Sequence, residues 1–266
     1  MRIRDWLCAG VVGLFIGGCA GMQSGVNPET RAAIAPTGKL RVAFLLVPLY
    51  ATKDPATGEL KGIAPDLGRQ LAQRLSVPFD PVIYSNPPAL VDGAKAGQWD
   101  VALFGISPER AVAMDFSAPL MEVEQGYLVR AGAPITTASE VDNVGVRVVV
   151  LEKSGADVIL SKTLKNATII RVKSQPESAV LLDAGKADVY AATKTALFGV
   201  AASRPGSRVL EGRFLIEPLG MAVPKGRNPA ATAYVAQFVE EAKAHGGAKE
   251  AIERAGLRGV AVAPLK

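Results

Sequence analysis

The chain has 266 residues, a formal net charge of +5, 49% apolar residues and only 6% aromatics. That length and composition suit an aliphatic α/β core, in one large domain or two lobes. A single histidine, His245, and two cysteines exclude histidine-based nucleophilic catalysis and the usual zinc clusters, so no cofactor or metal is expected. The basic residues are scattered, without a basic run or interleaved aromatics, which argues against nucleic acid and for solvated faces.

Arg2 and Arg4 precede an apolar run from Trp6 to Ile16, shorter than the about 20 residues a membrane span needs. A positive start, a short apolar segment and small residues read as an export signal over 1–18. Ile16-Gly17-Gly18-Cys19 resembles the lipobox of bacterial lipoproteins, which implies cleavage before Cys19 and lipid on its thiol. Doubly acylated chains hold to membranes stably. An uncleaved anchor or a buried core cysteine are the alternatives; the short run and the polar, Gly-rich residues that follow weigh against them. With Cys8 in the signal and Cys19 lipidated, the mature chain forms no disulfide. Residues 19–37 are small and polar, a flexible tether.

Residues 39–44 open the folded body as a core strand, and 58–62 read as a turn or hairpin. Leu67, Leu71 and Leu75 form one helical stripe within a helix from Pro65 to Leu75. A strand over 81–84 and a helix over 88–96 follow. Trp99 to Gly105 is a nearly continuous apolar run, as in a parallel strand covered on both faces, which places Trp99 in the core. The pattern then restarts with a strand over 144–151, a helix over 154–164, a strand over 168–172 and a helix over 178–184. A strand over 187–192, a helix over 194–202, an extended segment over 213–223 and a helix over 229–255 complete it. Gly246-Gly247 breaks that last helix, with His245 at a helix C-terminus. Two successive β/α cycles indicate two lobes with largely parallel sheets.

Four groups of residues carry a resemblance. They are Gly62-Ile63-Ala64-Pro65-Asp66-Leu67, Gly97-Gln98-Trp99-Asp100-Val101, Ser107-Pro108-Glu109-Arg110, and Asp115-Phe116-Ser117-Ala118-Pro119. The third and fourth are the most specific. Together they resemble the family 3 extracellular solute-binding proteins of ABC importers, of the polar amino-acid type, over about 38–264. The resemblance implies a two-lobed type II periplasmic-binding-protein fold with two crossover strands, near 126–129 and 218–221. Lobe 1 is then 38–126 plus 222–266, and lobe 2 is 127–221. It also implies a monomer that binds a small solute in the interlobe cleft and delivers it to a permease in the inner membrane, from the periplasm.

Ser107 is a preferred N-cap and Pro108 suits a first helical turn. The loop before them leaves a strand at its C-terminal end, the ligand edge of an open α/β sheet. In relatives the arginine matching Arg110 binds a carboxylate; the alternative is a local ion pair with Asp115 or Glu109. Ser154 starts a lobe 2 helix with Asp157 three residues on, a capping-box-like start that serves as cap or as ligand contact. The N–H groups of that first turn, from Gly155 onward, are what relatives offer the solute. Tyr50 and Asn86 follow the first two strands and would face the cleft; Asp188 would satisfy local backbone.

Two departures stand out. Thr193 occupies the position where amino-acid-binding relatives carry an aspartate for the ligand's ammonium, and Gly105 stands where many have threonine. An ammonium buried without a carboxylate is costly. With no clefted Glu/Asp pair apparent, a solute with a carboxylate or other anionic group and no neighbouring primary ammonium is expected. Two other functions remain open on this fold: a periplasmic enzyme similar to cyclohexadienyl dehydratase, with Glu122 and Glu124 as flanking carboxylates, and a ligand sensor.

Overall fold

The computed structural model describes residues 26–266; the expected signal segment and Cys19 lie outside the described residues. Helix α1 (Pro28–Ile34) is capped by Asn27, whose side chain accepts from Glu29 N–H at 2.9 Å. Ile34 and Ala35 are buried in the main core. The expected tether therefore ends earlier than residue 37. The cap, a proline at the helix start and one buried isoleucine outweigh the small, polar composition.

Strand β1 (Leu40–Leu45) is followed by a hairpin of β2 (Thr52–Lys53) and β3 (Leu60–Lys61), then helix α2 (Ile63–Leu75). Leu67, Leu71 and Leu75 are all within 1% of complete burial, each contributing about 1.5–3 kcal/mol. Next come β4 (Phe79–Tyr84), α3 (Pro87–Lys95), β5 (Val101–Gly105), one-turn helix α4 (Pro108–Ala111), β6 (Met114–Phe116) and β7 (Met121–Val129). Trp99 is wholly buried and donates its indole N–H to Leu90 O at 3.0 Å.

The second cycle runs β8 (Arg147–Leu151), α5 (Gly155–Thr163), β9 (Thr168–Val172), α6 (Gln175–Asp183), β10 (Val189–Thr193), α7 (Lys194–Ala202), β11 (Arg208–Val209) and β12 (Leu215–Pro224). β8 starts later than expected because Val144 is exposed rather than part of the strand. α6 starts three residues earlier than expected, because Ser174 and Pro176 provide a start that hydrophobic periodicity does not mark. Helices α8 (Pro229–Ala244) and α9 (Gly247–Arg254) and strand β13 (Val260–Val262) close the chain, with His245 capping α8.

Apart from the separate β2–β3 hairpin, the strands form one continuous sheet whose main path runs β4-β1-β5-β12-β7-β10-β8-β9, with β6 paired to β12 and β11 and β13 to β7. Within it, β1 is parallel to β4 and β5, and β8 is parallel to β9 and β10. The two halves are joined by long antiparallel strands. Leu215–Leu219 of β12 pairs with Gln125–Met121 of β7, and Leu219–Ala222 continues onto β5. The far end of β7, Gln125–Val129, pairs with β10. The crossovers are thus longer than the tetrapeptides expected at 126–129 and 218–221.

Side chains cluster accordingly. One core gathers Leu40, Phe44, Leu67, Trp99, Phe104, Met221 and Phe238 around the first parallel sheet. The second sheet has a cluster on each face, with Val129, Val148 and Leu160 on one side and Leu128, Val149 and Tyr190 on the other. Alternating burial on a two-faced sheet explains why neighbours along β8 enter different cores.

Candidate functional site

The C-terminal ends of β5 and β8 meet across the seam between the lobes. There a small cavity of about 70 Å³ is lined by Tyr50, Phe104 and Arg110 from one side and by Ser154, Gly155 and Thr193 from the other. Gln125 and Glu217, from the two crossover strands, form its floor. A larger groove of about 690 Å³ opens between the β2–β3 hairpin and α9. Its charges, such as Lys61, Asp66 and Arg254, are surface ions paired with neighbours. No buried charge faces it, so it does not define the site.

Ser107 caps α4, accepting from Arg110 N–H at 3.3 Å. That one tight turn sends the Arg110 side chain back toward β5, where it is only 8% exposed and its guanidinium lies 4.0 Å from the Phe104 ring centroid. Arg110 Nη1 donates to Gly105 O at 2.8 Å and to Glu217 Oε1 at 3.1 Å. Nη2 donates across the seam to Lys153 O at 3.3 Å. Lys153 has a left-handed backbone (φ 54°), rare for a residue with a side chain. Neither anticipated local partner holds Arg110: Asp115 pairs with Lys225, and Glu109 with Lys162. Its ionic partner is Glu217, 107 residues away.

Glu217 is 8% exposed. Its second oxygen, Oε2, accepts from the Gln125 side-chain amide. A Cβ on Gly105 would overlap Glu217 Oε1 and Arg110 Nη1, and one on Gly155 would come within 2.6 Å of Glu217 Oε2. The two glycines, one from each lobe, leave the slot in which this carboxylate sits. A cleft carboxylate therefore exists, although Thr193 holds the position of the relatives' aspartate. Glu217 and Gln125 are not among the residues expected from the sequence; the one sequence signal is that Glu217 is the lone charge in the otherwise apolar run Leu215–Pro224. In the fold Ile216 is exposed and Glu217 buried, so the charge occupies the inward face of that strand.

Tyr50 is buried at the cavity wall, 6.5 Å from Phe104 between ring centroids. Burial pushes its phenol far above the usual range, and the nearby Glu217 carboxylate pushes it further, so the hydroxyl stays neutral. Ser154 and Thr193 line the cavity while capping α5 and α7, accepting from Asp157 N–H at 3.2 Å and Ala196 N–H at 3.3 Å. Asp157 is turned aside, accepting from Lys153 N–H at 2.8 Å and from Arg171 at 2.9 Å. Asn86 does not line the cavity. Its Oδ1 accepts from Ala89 N–H at 2.9 Å as the cap of α3, and Pro87 takes the place at the wall. Ser107 is likewise behind the wall, as a cap. Glu124 pairs with Lys194 and Arg213, the Lys194 bond foremost in holding its carboxyl below the usual range, and neither it nor Glu122 reaches the cavity.

Two α/β lobes joined by paired antiparallel strands, with a buried guanidinium at their seam, define the type II periplasmic-binding-protein class. Solved structures of that class overlay closely. The solute receptor for L-cysteine of Neisseria gonorrhoeae gives a TM-score of 0.74 at 25% identity, over 85% of this chain and 92% of that one. An ancestral amino acid-binding protein, a precursor of cyclohexadienyl dehydratase, gives 0.74 at 25% identity, over 85% and 98%. The model of the bacterial extracellular solute-binding proteins, family 3, matches residues 40–256, and the chain belongs to that family. It is 25% identical over 190 residues to the ABC transporter glutamine-binding protein of Bacillus subtilis (strain 168), covering 69% of this chain and 68% of that protein. Among the described residues no helix is long and apolar enough to cross a membrane, and no group of side chains suits a metal ion.

Proposed function

We propose that the chain captures a small polar solute bearing a carboxylate between its lobes and delivers it to an ABC permease in the inner membrane. It works from the periplasm as a monomer held by lipid on Cys19. The observation that carries this reading is the Arg110 guanidinium, which is buried, stacked on Phe104 and bonded to both lobes at once. A forked donor in a water-poor seam is the residue of choice for a carboxylate. Related proteins named for glutamine, L-cysteine and amino acids support the amino-acid class of solute.

The remaining wall contributes orientation rather than chemistry. Tyr50 supplies a neutral hydroxyl and an aromatic face, Ser154 and Gly155 the start of a helix, and Thr193 a hydroxyl. The crossover strands supply the bending elements through which two-lobed proteins close over ligands. Titration calorimetry with the standard L-amino acids tests the reading. Arg110→Lys keeps a cation beside Glu217 but loses the fork, and its affinity should fall at least about tenfold. Unchanged affinity removes Arg110 from the site. Recovery of the bound solute chemically intact separates this reading from a dehydratase-like enzyme.

A further inference from the structure

We propose that Glu217 selects for an ammonium group in the solute, so that the cleft takes a zwitterion rather than a plain carboxylate. This rests on the capture reading above. Arg110 and Glu217 form a buried pair of net zero charge, 3.1 Å apart. The cavity beside them is small, about 70 Å³. A solute of amino-acid size enters only when the lobes part and the pair separates. What happens to the two charges then decides which solute is accepted.

A solute with a carboxylate alone would satisfy Arg110 and strand Glu217. The cleft would then hold two carboxylates, one of them with only the Gln125 amide as a partner, and both like charge and lost pairing oppose that. A solute with carboxylate and ammonium pairs both residues anew with charge-assisted hydrogen bonds. The geometry around Glu217 is built for this. Gly105 and Gly155 leave room for the carboxylate from either side, and Gln125 on the neighbouring crossover strand holds one oxygen. Thr193 lines the same cavity, with its hydroxyl already accepting from Ala196 N–H. The negative charge missing at Thr193 is thus provided from β12.

Calorimetry on the full mature protein compares each standard L-amino acid with the 2-hydroxy acid that replaces its ammonium by a hydroxyl. The wild type should prefer the amino acid at least about tenfold, and Glu217→Gln should lose that preference by weakening amino-acid binding. Thr193→Asp in the Glu217→Gln background should restore the preference, by returning a carboxylate to the same cavity. Glu217→Asp, which keeps the charge, should retain the preference and serves as the test if Glu217→Gln does not fold. Equal or tighter amino-acid binding by Glu217→Gln overturns the proposal, since Glu217 would then merely compete for Arg110. A wild type that takes the hydroxy acid equally well overturns ammonium selection but leaves capture at Arg110 standing. Binding of neither solute overturns both.

Discussion

The two lobes lock their sheets with the same device and then use different parts to face the cleft. In lobe 1, Asp100 accepts from Arg41 N–H at 3.0 Å and from its guanidinium at 2.7 Å, with Arg227 adding a bond at 2.9 Å. In lobe 2, Asp188 accepts from Arg147 N–H at 3.1 Å and from its guanidinium at 2.9 Å, with Arg130 adding one at 3.1 Å. Each aspartate stands three residues after a glycine in left-handed conformation, Gly97 (φ 63°) or Gly185 (φ 62°). Each pins the arginine at the start of a neighbouring parallel strand. At the cleft the symmetry ends. The helix after β5 delivers Arg110, whereas the helix after β8 begins Ser154-Gly155 and delivers space. A repeated scaffold sets the sheet edges, and single substitutions at those edges set the chemistry.

Removing the locks should break the parallel between lobes most sharply. The Asp100 side chain is wholly buried, while that of Asp188 is 12% exposed and its partner Arg147 37%. Asp100→Ala should cost about 3–5 kcal/mol, because it leaves two arginines and a strand N–H without their partner. Asp188→Ala should cost less, about 1–3 kcal/mol, since water can reach the freed guanidinium. Urea unfolding of both variants checks the order, and equal costs would mean the locks differ only in appearance. A smaller effect separates cap from site. Asn86→Ala should lose about 1 kcal/mol of stability with unchanged solute affinity by calorimetry.

The mildest effect is the response to acid. Hydrogen bonding to the Arg147 guanidinium, foremost among several causes, holds the Asp188 carboxyl below its usual range. A depressed folded value means that the stabilisation is present above the unfolded pKa and fades as pH falls through the folded one. As pH falls from about 5 through the ordinary aspartate range near 3.9 and below it, the wild type should therefore lose stability more steeply than Asp188→Asn. Parallel urea midpoints across that range would show that the lock carries no pH dependence.

Much of this molecule is legible before folding, and the reason is local. Helix α7 and strand β9 occupy the residues expected of them, because caps and periodicity act within a few positions. The Ser107-Pro108 start led directly to Arg110 and to its position at a sheet edge. Asn86 misled for a related reason: an asparagine after a strand suits a cap and a ligand contact equally, and only its bond to Ala89 N–H separates them. The helix at 28–34 carries a readable start in Asn27 and Pro28, but it is only seven residues long and its one buried isoleucine and its packing on α8 are tertiary facts.

The amino-acid string by itself determined most of the strand and helix alternation and the Ser107 cap that precedes Arg110, since each depends on neighbours a few residues apart. Only the tertiary structure decided what that arginine meets. Glu217 lies on a strand more than a hundred positions away and reaches Arg110 because β12 is shared between the two lobes. Charge pairing acts through space, and no local pattern reports which distant strand will bring the opposite charge.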